Sequence, residues 1–513
     1  MRYGFVLDQR KCIGCHACTV ACKTENQVPV GSFRTWVKYV EKGEYPTTRR
    51  HFGVMRCNHC DNAPCVKICP VKALYTRKDG IVDLDGDRCI GCQSCMQACP
   101  YDALYINPDR GVAEKCHYCA HRVERGLEPA CVIVCPVQAI VPGDLDNPQS
   151  QISQLVSLLP SQVRKPEQGT RPKVFYLGAD QDAISPGIGH ADIPASYLWS
   201  EGPAEILQQL MDPAQLSASA SPSSLPAREV YNVAHAKPWG WHIAAYLWTK
   251  SISAGLAMVA GMGLLTRLGV GNSNDIATRF APAASLFFLA VTLVLLVGDL
   301  KRPERFWRLI LTPNWTSWLV WGGYILMFFG AAMTLWLLGV WIGPWIGVAP
   351  PALLLGAGIV LGAASAGYSA FLFAQAEGRD FWQSSLLLPH LLAQAIVAGA
   401  ATMMAAANFS GYDMPENLDT WLGAGLLMHL LMILGEVAVP HTNRDSALSA
   451  KHITHQRRKQ FWWLVMGAGI TAPLACIVAI GDASYGVAGL LALAGLYVYE
   501  SLWVEAGQSV PLS

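Results

Sequence analysis

Beyond Trp241 the sequence turns into a succession of long apolar runs, and nothing else in it constrains the fold as strongly. A membrane-spanning helix needs about 20 mostly apolar residues. Eight runs meet that length: 241–265, 280–298, 316–338, 348–374, 384–407, 419–440, 461–480 and 485–506. Eight in series would need an implausibly large water-soluble core, whereas in lipid each satisfies its own backbone hydrogen bonds as a helix. Composition agrees: only 15% of the residues are charged, against about 25% in soluble domains. The 46 Gly and 17 Trp suit membrane helices and their interfacial belts. A formal net charge of +1 provides no general attraction to nucleic acid, and none is expected as a partner.

The first half reads differently. Residues 1–145 are Cys-rich and mixed in charge, residues 146–235 form an extension in which Ser217 to Pro226 reads as a flexible linker, and residues 236–513 form the membrane domain. The N-terminal stretch MRYGFVLDQRKC has no apolar core of a secretory signal. With eight spans, both ends of the membrane domain lie on one side. The loops of that side hold Lys301, Arg302, Arg305, Arg308, Arg379, Arg444, Lys451, Arg457, Arg458 and Lys459, and the opposite loops hold Arg267 and Arg279. The excess predicts an inner (cytoplasmic) membrane protein with its Cys-rich domain in the cytoplasm.

Sixteen of the 17 cysteines fall before residue 136, in four groups of four. The groups are Cys12, Cys15, Cys18, Cys22; Cys57, Cys60, Cys65, Cys69; Cys89, Cys92, Cys95, Cys99; and Cys116, Cys119, Cys131, Cys135. The first and third read C-x2-C-x2-C-x3-C, and the others widen one gap. Three thiolates at this spacing wrap one face of a cubane while the fourth points away, and in two-cluster ferredoxins that fourth Cys ligates the other cluster. Pro70, Pro100 and Pro136 complete the C-P ending of three groups. Zinc sites have no need of that tail, and a disulfide framework is disfavoured in a cytoplasmic domain. Sixteen thiolates predict four [4Fe–4S] clusters. His16, His59, His117 and His121 lie among them and read as loop packing or as hydrogen-bond donors to cluster sulfur.

The stretches CNHCDNAPCVKICP, DRCIGCQSCMQACP and KCHYCAHRVERGLEPACVIVCP resemble the four-cluster electron-transfer subunits of molybdopterin oxidoreductases. The loop Asp299 to Phe306 (DLKRPERF) and the span WGWHIAAYLWTKSISAG resemble the NrfD/PsrC family of quinone-reactive membrane anchors. Together these resemblances imply an α+β double ferredoxin-like iron–sulfur domain followed by an all-α membrane domain of eight transmembrane helices in two four-helix bundles. They also imply swapped ligands. One cluster would take Cys12, Cys15, Cys18 and Cys135, the next Cys116, Cys119, Cys131 and Cys22. The third would take Cys57, Cys60, Cys65 and Cys99, and the last Cys89, Cys92, Cys95 and Cys69. The first would face a molybdenum or tungsten catalytic partner, and the last the membrane.

Ionisable groups inside spans are costly and are functional candidates by default. His242, Tyr246 and Lys250 recur every four residues on one face of the first span. Asp299 ends the second span, His390 lies about two turns into the fifth, and Glu500 and Glu505 close the eighth. Most of these sit in the half of the membrane that faces the clusters. His242, Tyr246, Lys250, Asp299 and His390 are therefore the expected lining of a quinone pocket, since a quinone needs hydrogen-bond donors at two carbonyls and protons on reduction. His429 and Glu436, seven apart on one face of the sixth span, are the expected start of a proton path.

No Walker A loop, dinucleotide fingerprint or haem-attachment motif is present. No catalytic residue is assigned, because the substrate-converting site is expected in a partner subunit. The expected function is to wire a molybdopterin (Mo or W) oxidoreductase to the menaquinone or ubiquinone pool, with formate preferred as donor and sulfite next, by family analogy. The alternatives are a hydrogenase or multihaem cytochrome complex, and a redox-driven proton translocator.

Overall fold

The computed structural model describes residues 1–43, 46–185, 227–234, 237–266, 275–346, 352–410, 414–415, 417–441 and 443–513. Its first strand, β1 (Tyr3–Asp8), is almost wholly buried because it is paired on both edges. Strands follow as β2 (Thr35–Lys42), β3 (Arg49–Arg56), β4 (Leu74–Thr76), β5 (Val82–Leu84), β6 (Leu104–Ile106), β7 (Ala113–Lys115), β8 (Ile140–Asp144), β9 (Ser161–Gln162), β10 (Val174–Leu177) and β11 (Ala227–Tyr231). β1 runs antiparallel to β8, with Leu7 opposite Ile140, and parallel to β10, with Phe5 opposite Val174. The first cysteine group follows β1 and the fourth precedes β8, so this pairing lays the two groups side by side. Helix Ala17–Glu25, carrying Cys18 and Cys22, packs on the short helix Ala130–Ile133, carrying Cys131.

The second and third groups repeat one unit. Each ends in a five-residue helix, Pro64–Ile68 or Ser94–Ala98, and continues into a hairpin, β4–β5 or β6–β7. The two helices pack together. The fold is thus a doubled ferredoxin-like unit, two groups at each end.

Segments beyond residue 145 also pack on the cysteine-rich domain. β10 is an interior strand of the β1 sheet, and helix Gln151–Leu158 buries Ile152 against Val6 and Val141. β11 adds a strand to the free edge of β2. These segments carry no cysteine, so the spacing that delimits the clusters is silent about them. The linker expected at Ser217 to Pro226 lies outside the described residues.

Among the described residues, the membrane half has eight helices long and apolar enough to span: Trp241–Leu265, Ile276–Gly298, Trp318–Ile342, Ala352–Ala374, Leu387–Ser410, Leu418–Val437, Gln460–Ile480 and Tyr485–Gly507. They match the eight apolar runs to within a few residues at most ends. The seventh is largely wound with π geometry on both sides of Pro473. The first packs on the second and fourth and the third closes that bundle, while the fifth packs on the sixth and eighth and the seventh on the eighth. The first and fifth helices join the bundles where Gly255 meets Gly399.

The iron–sulfur domain is fastened to the loop after the second helix through backbone and short side chains. Lys301 and Arg302 donate their backbone N–H groups to Gly91 and Ile90 carbonyls at 3.3 and 3.2 Å. Asn314 Nδ2 donates to the Cys69 carbonyl at 2.7 Å, and Ser317 Oγ to that of Ile68 at 2.7 Å. Gly91 (φ 69°) has no room for a side chain, since a Cβ would stand 2.7 Å from both the Gly111 carbonyl and Lys301. The segments bearing Cys69 and Cys89–Cys92 are therefore held at a fixed position on the membrane domain.

Candidate functional site

The four C-x-x-C loops have one shape. Their third residues, Gly14, His59, Gly91 and Tyr118, all adopt the left-handed region, with φ of 70°, 44°, 69° and 62°. Two glycines occupy it without strain; His59 and Tyr118 are held there in edge-to-face contact with each other at 5.7 Å. His59 Nδ1 accepts the Val82 N–H at 3.2 Å, and His121 Nε2 lies 2.7 Å from Glu25, so these imidazoles are engaged in packing.

The fold gathers the cysteines across groups. Cys22, Cys116, Cys119 and Cys131 ring one small cavity of about 10 Å³. Cys57, Cys60, Cys65 and Cys99 ring another of about 20 Å³, and Cys69, Cys89, Cys92 and Cys95 a third of about 20 Å³. Cys12 lies beside Cys15, Cys18 and Cys135. Each set combines three cysteines of one group with the last of another. Among the described residues no three His, Cys, Asp or Glu side chains are grouped as ligands of a single metal ion. Backbone N–H groups of Ala73, Gly91 and Ala139 approach the sulfurs of Cys69, Cys89 and Cys135 at 3.2–3.4 Å. Burial pushes the free thiols of Cys18, Cys99 and Cys119 up to about 11 and that of Cys92 up to about 12. Unligated, they would stay protonated and inert; ligation to iron selects the thiolate. Soft donors in fours, three of the sets around small buried cavities, fit iron–sulfur clusters.

A much larger cavity, about 380 Å³, lies where the iron–sulfur domain meets the first four helices. That volume suits a ring-sized ligand. Its wall is apolar except for Cys92, Ser94, Tyr246, Asp299, Tyr324 and Tyr368. Cys92 and Ser94 come from the iron–sulfur domain, Tyr246 from the first helix and Asp299 from the loop after the second. Leu293, Met327, Phe306 and Ile310 also line it and are exposed on the outer surface, so the cavity reaches the face that would meet lipid. His242 stands at the rim, its Nδ1 3.8 Å from Asp299 Oδ1 and its ring stacked on Trp241. Burial raises the Asp299 carboxyl above the ordinary carboxylate range, and Lys301 and His242 oppose that shift.

A family model described as polysulphide reductase, NrfD, matches residues 229–510. This protein belongs to the NrfD family. Ahead of the NrfD region, a 4Fe–4S dicluster domain model matches residues 49–145. Relatives of the iron–sulfur half include a tetrathionate reductase subunit of Salmonella typhimurium, 47% identical over 205 residues, which are 39% of this sequence and 80% of that one. A polysulfide reductase polypeptide of Wolinella succinogenes is 41% identical over 34% of this sequence and 94% of its own. The arsenate respiratory reductase iron–sulfur subunit ArrB of a Shewanella species is 38% identical over 34% and 96%. The molecule is therefore an iron–sulfur electron-transfer module fused to an NrfD-type integral membrane domain.

Within the NrfD half, the expected quinone set divides. Tyr246 and Asp299 line the cavity, and His242 reaches it through Asp299. Lys250 does not line it. One turn deeper and rotated with the helix, it donates to the Ala366 carbonyl at 3.0 Å and Ser369 Oγ at 2.6 Å, behind the ring of Tyr368. His390 does not line it either, because the fifth helix packs on the side of the first helix away from the cavity. It joins the other expected pair instead. His390 Nε2 lies 2.8 Å from His429 Nδ1, His390 Nδ1 is 3.5 Å from Glu436 Oε1, and Tyr499 donates to Glu436 Oε2 at 2.6 Å. This cluster is buried in the membrane half facing the iron–sulfur domain: His390 is the fourth residue of its helix and Glu436 the last but one. Tyr368, Tyr324, Ser94 and Cys92 are lining residues that sequence reasoning did not assign to the cavity. Tyrosines in apolar helices are cheap and do not stand out. Only the C-x2-C spacing signals Cys92, and it signals a ligand rather than a wall.

Proposed function

We propose that this protein carries electrons between a molybdopterin (Mo or W) catalytic partner and the membrane quinone pool. The observation that carries the reading is the shared wall of the large cavity, with Cys92 on one side and Tyr246 and Asp299 on the other. The four cysteine sets would hold four [4Fe–4S] clusters in the swapped arrangement. When bound, the clusters supply one-electron relay. The protein's own residues do the rest. Cysteines fix the thiolates, the loop 299–317 holds Cys92 against the membrane domain, and the apolar wall excludes water. Tyr246 and Tyr368 offer hydroxyl donors to the two quinone carbonyls. Reduction of quinone to quinol takes two electrons and two protons, and Asp299 with His242 connects the cavity to the aqueous rim.

The iron–sulfur domain is proposed to face the cytoplasm, from the charge excess in its loops. Formate remains the first candidate donor and sulfite the next. A second reading comes from the relatives, whose names specify tetrathionate, polysulfide and arsenate reductases; in that reading the partner is a reductase of oxyanion or polysulfur substrates. His390, His429, Glu436 and Tyr499 are proposed as a proton-handling cluster. Substituting His429 and Glu436 should abolish any proton translocation while quinone reduction continues; unchanged translocation would remove the role.

Purification of the intact complex through a C-terminal tag, without oxygen, tests the main reading. Iron of about 16 per polypeptide or more, four per cubane, with molybdenum or tungsten near one is the expected result. Nickel or haem iron instead would replace the molybdopterin partner by a hydrogenase or cytochrome. The ligand sets have a sharper test. Cys22→Ser and Cys131→Ser, 109 positions apart, should perturb the same electron paramagnetic resonance (EPR) signal, while Cys18→Ser perturbs another. If Cys22→Ser and Cys18→Ser share one lesion, the swap is wrong.

A further inference from the structure

Arg56 ends β3, directly before Cys57, and is 1% exposed. Register places it opposite Thr35 on β2, whose hydroxyl accepts from its Nη2 at 3.0 Å. The same nitrogen donates to Cys131 Sγ at 3.3 Å, and the guanidinium lies over the Phe5 ring at 4.3 Å. Among the described residues Nε and Nη1 have no hydrogen-bond partner, and no carboxylate pairs with the charge. Arg56 lines the small cavity ringed by Cys22, Cys116, Cys119 and Cys131. Cys18, of the adjacent set, is also within electrostatic reach.

A buried, always-charged guanidinium without a counter-ion is strongly unfavourable unless an anion compensates it. The neighbouring cations are already satisfied. Arg34, on the same cavity, pairs with Glu114 at 2.9 Å, and the Lys115 ammonium donates to the carbonyls of Val82 and Cys116. Arg56 alone of these three is left with two unpaired donors beside the four sulfurs. The negative charge it lacks is the charge that a thiolate-ligated cluster brings. A fixed cation there stabilises the reduced form more than the oxidised one, because reduction adds one negative charge nearby.

We propose that Arg56 is the buried counter-charge of the cluster held by Cys22, Cys116, Cys119 and Cys131 and raises its reduction potential. Arg56 is a positioning residue for electron flow, acting on the second step of the relay from the partner side. The inference rests on the reading that these four cysteines share one cluster.

The test is an EPR-monitored redox titration of the full-length protein in its membranes, for wild type, Arg56→Gln and Arg56→Lys. Gln keeps donors without charge, and Lys keeps charge. In Arg56→Gln one cluster should become at least about tenfold harder to reduce, equivalent to about 59 mV for a one-electron couple. Arg56→Lys should recover most of that shift, and the last cluster, beside the membrane, should not move. Loss of about four irons from Arg56→Gln but not from Arg56→Lys, one cubane's worth, would also support a counter-charge. Unchanged midpoints in Arg56→Gln, or equal iron loss in both variants, would make Arg56 a packing residue and overturn the proposal. Fewer than four clusters in the wild type would instead defeat the underlying reading, whatever the variants do.

Discussion

Asp299→Asn is expected to slow quinone-coupled electron transfer by about 100-fold or more, the usual effect of removing a positioned proton-transfer group. The substitution is nearly isosteric, so the cavity keeps its shape. What it removes is a titratable carboxyl on the wall, 3.8 Å from the His242 imidazole at the aqueous rim. Burial holds that carboxyl above the ordinary carboxylate range, so it retains its proton to higher pH than an exposed aspartate would. A donor works only while protonated. The wild-type rate of quinone reduction should therefore fall as pH rises through the raised value, and the variant should lack that limb. Iron content, cluster EPR signals and electron transfer to a water-soluble dye should match wild type. Dye-coupled activity lost in parallel would place the damage in the relay, and an unchanged quinone rate with an unchanged pH profile would take Asp299 out of the proton route. Tyr246→Phe should raise the quinone KM more than it lowers kcat, since it removes a donor but no proton path.

Ligand identity is legible in this sequence because it is a local signal. Three cysteines two to eleven residues apart and a following proline say what they bind wherever the fold puts them. Which set a fourth cysteine joins depends on tertiary contacts, β1 finding β8 across more than a hundred residues for the first and fourth groups and two short helices packing together for the second and third, and only resemblance anticipates it. In the membrane half, ionisable residues stand out by cost, which identifies His242, Lys250, Asp299, His390, His429 and Glu436 but not how they partition. Helix neighbours decide that. Lys250 follows Tyr246 by four residues, and the extra rotation of about 40° turns it toward Ser369. His390 shares depth with the cavity but sits on the wrong helix. Several of the loop cations also have a second role. Arg302, Arg305 and Arg308 donate to carbonyls of Arg110, Gly86, Cys89 and Asp87, and Arg379 to the Gln97 side chain. Four of the ten loop cations thus have a docking role that would hold them on that side in either topology.

The other large effect is expected at the crossing of the first and fifth helices. A Cβ built on Gly255 would stand 1.8 Å from the Ala395 carbonyl oxygen, and one on Gly399 would stand 2.2 Å from the Gly255 carbonyl carbon. Both clashes are with backbone, which has no rotamer to relieve them, so a side chain must push the helices apart. Small residues at such crossings allow the close packing that holds membrane helices together where no hydrophobic force acts between them. Overpacking typically costs about 1–3 kcal/mol and more where backbone must move, a large part of a typical margin of about 5–15 kcal/mol. Gly399→Val should therefore abolish accumulation of monodisperse protein in detergent, and Gly399→Ala should lower it in part. Gly423→Val is the control, because a Cβ there meets nothing within 4 Å. Equal yields for Gly399→Val and Gly423→Val would mean that the crossing does not join the bundles. The site gives the crossing its second consequence. The first helix carries Tyr246 on the cavity wall and Lys250 behind it, within three turns of Gly255. Any Gly399 variant that survives should therefore bind quinone more weakly while its cluster spectra stay unchanged, since Cys92 is held by the loop between the second and third helices, which carry neither glycine of the crossing.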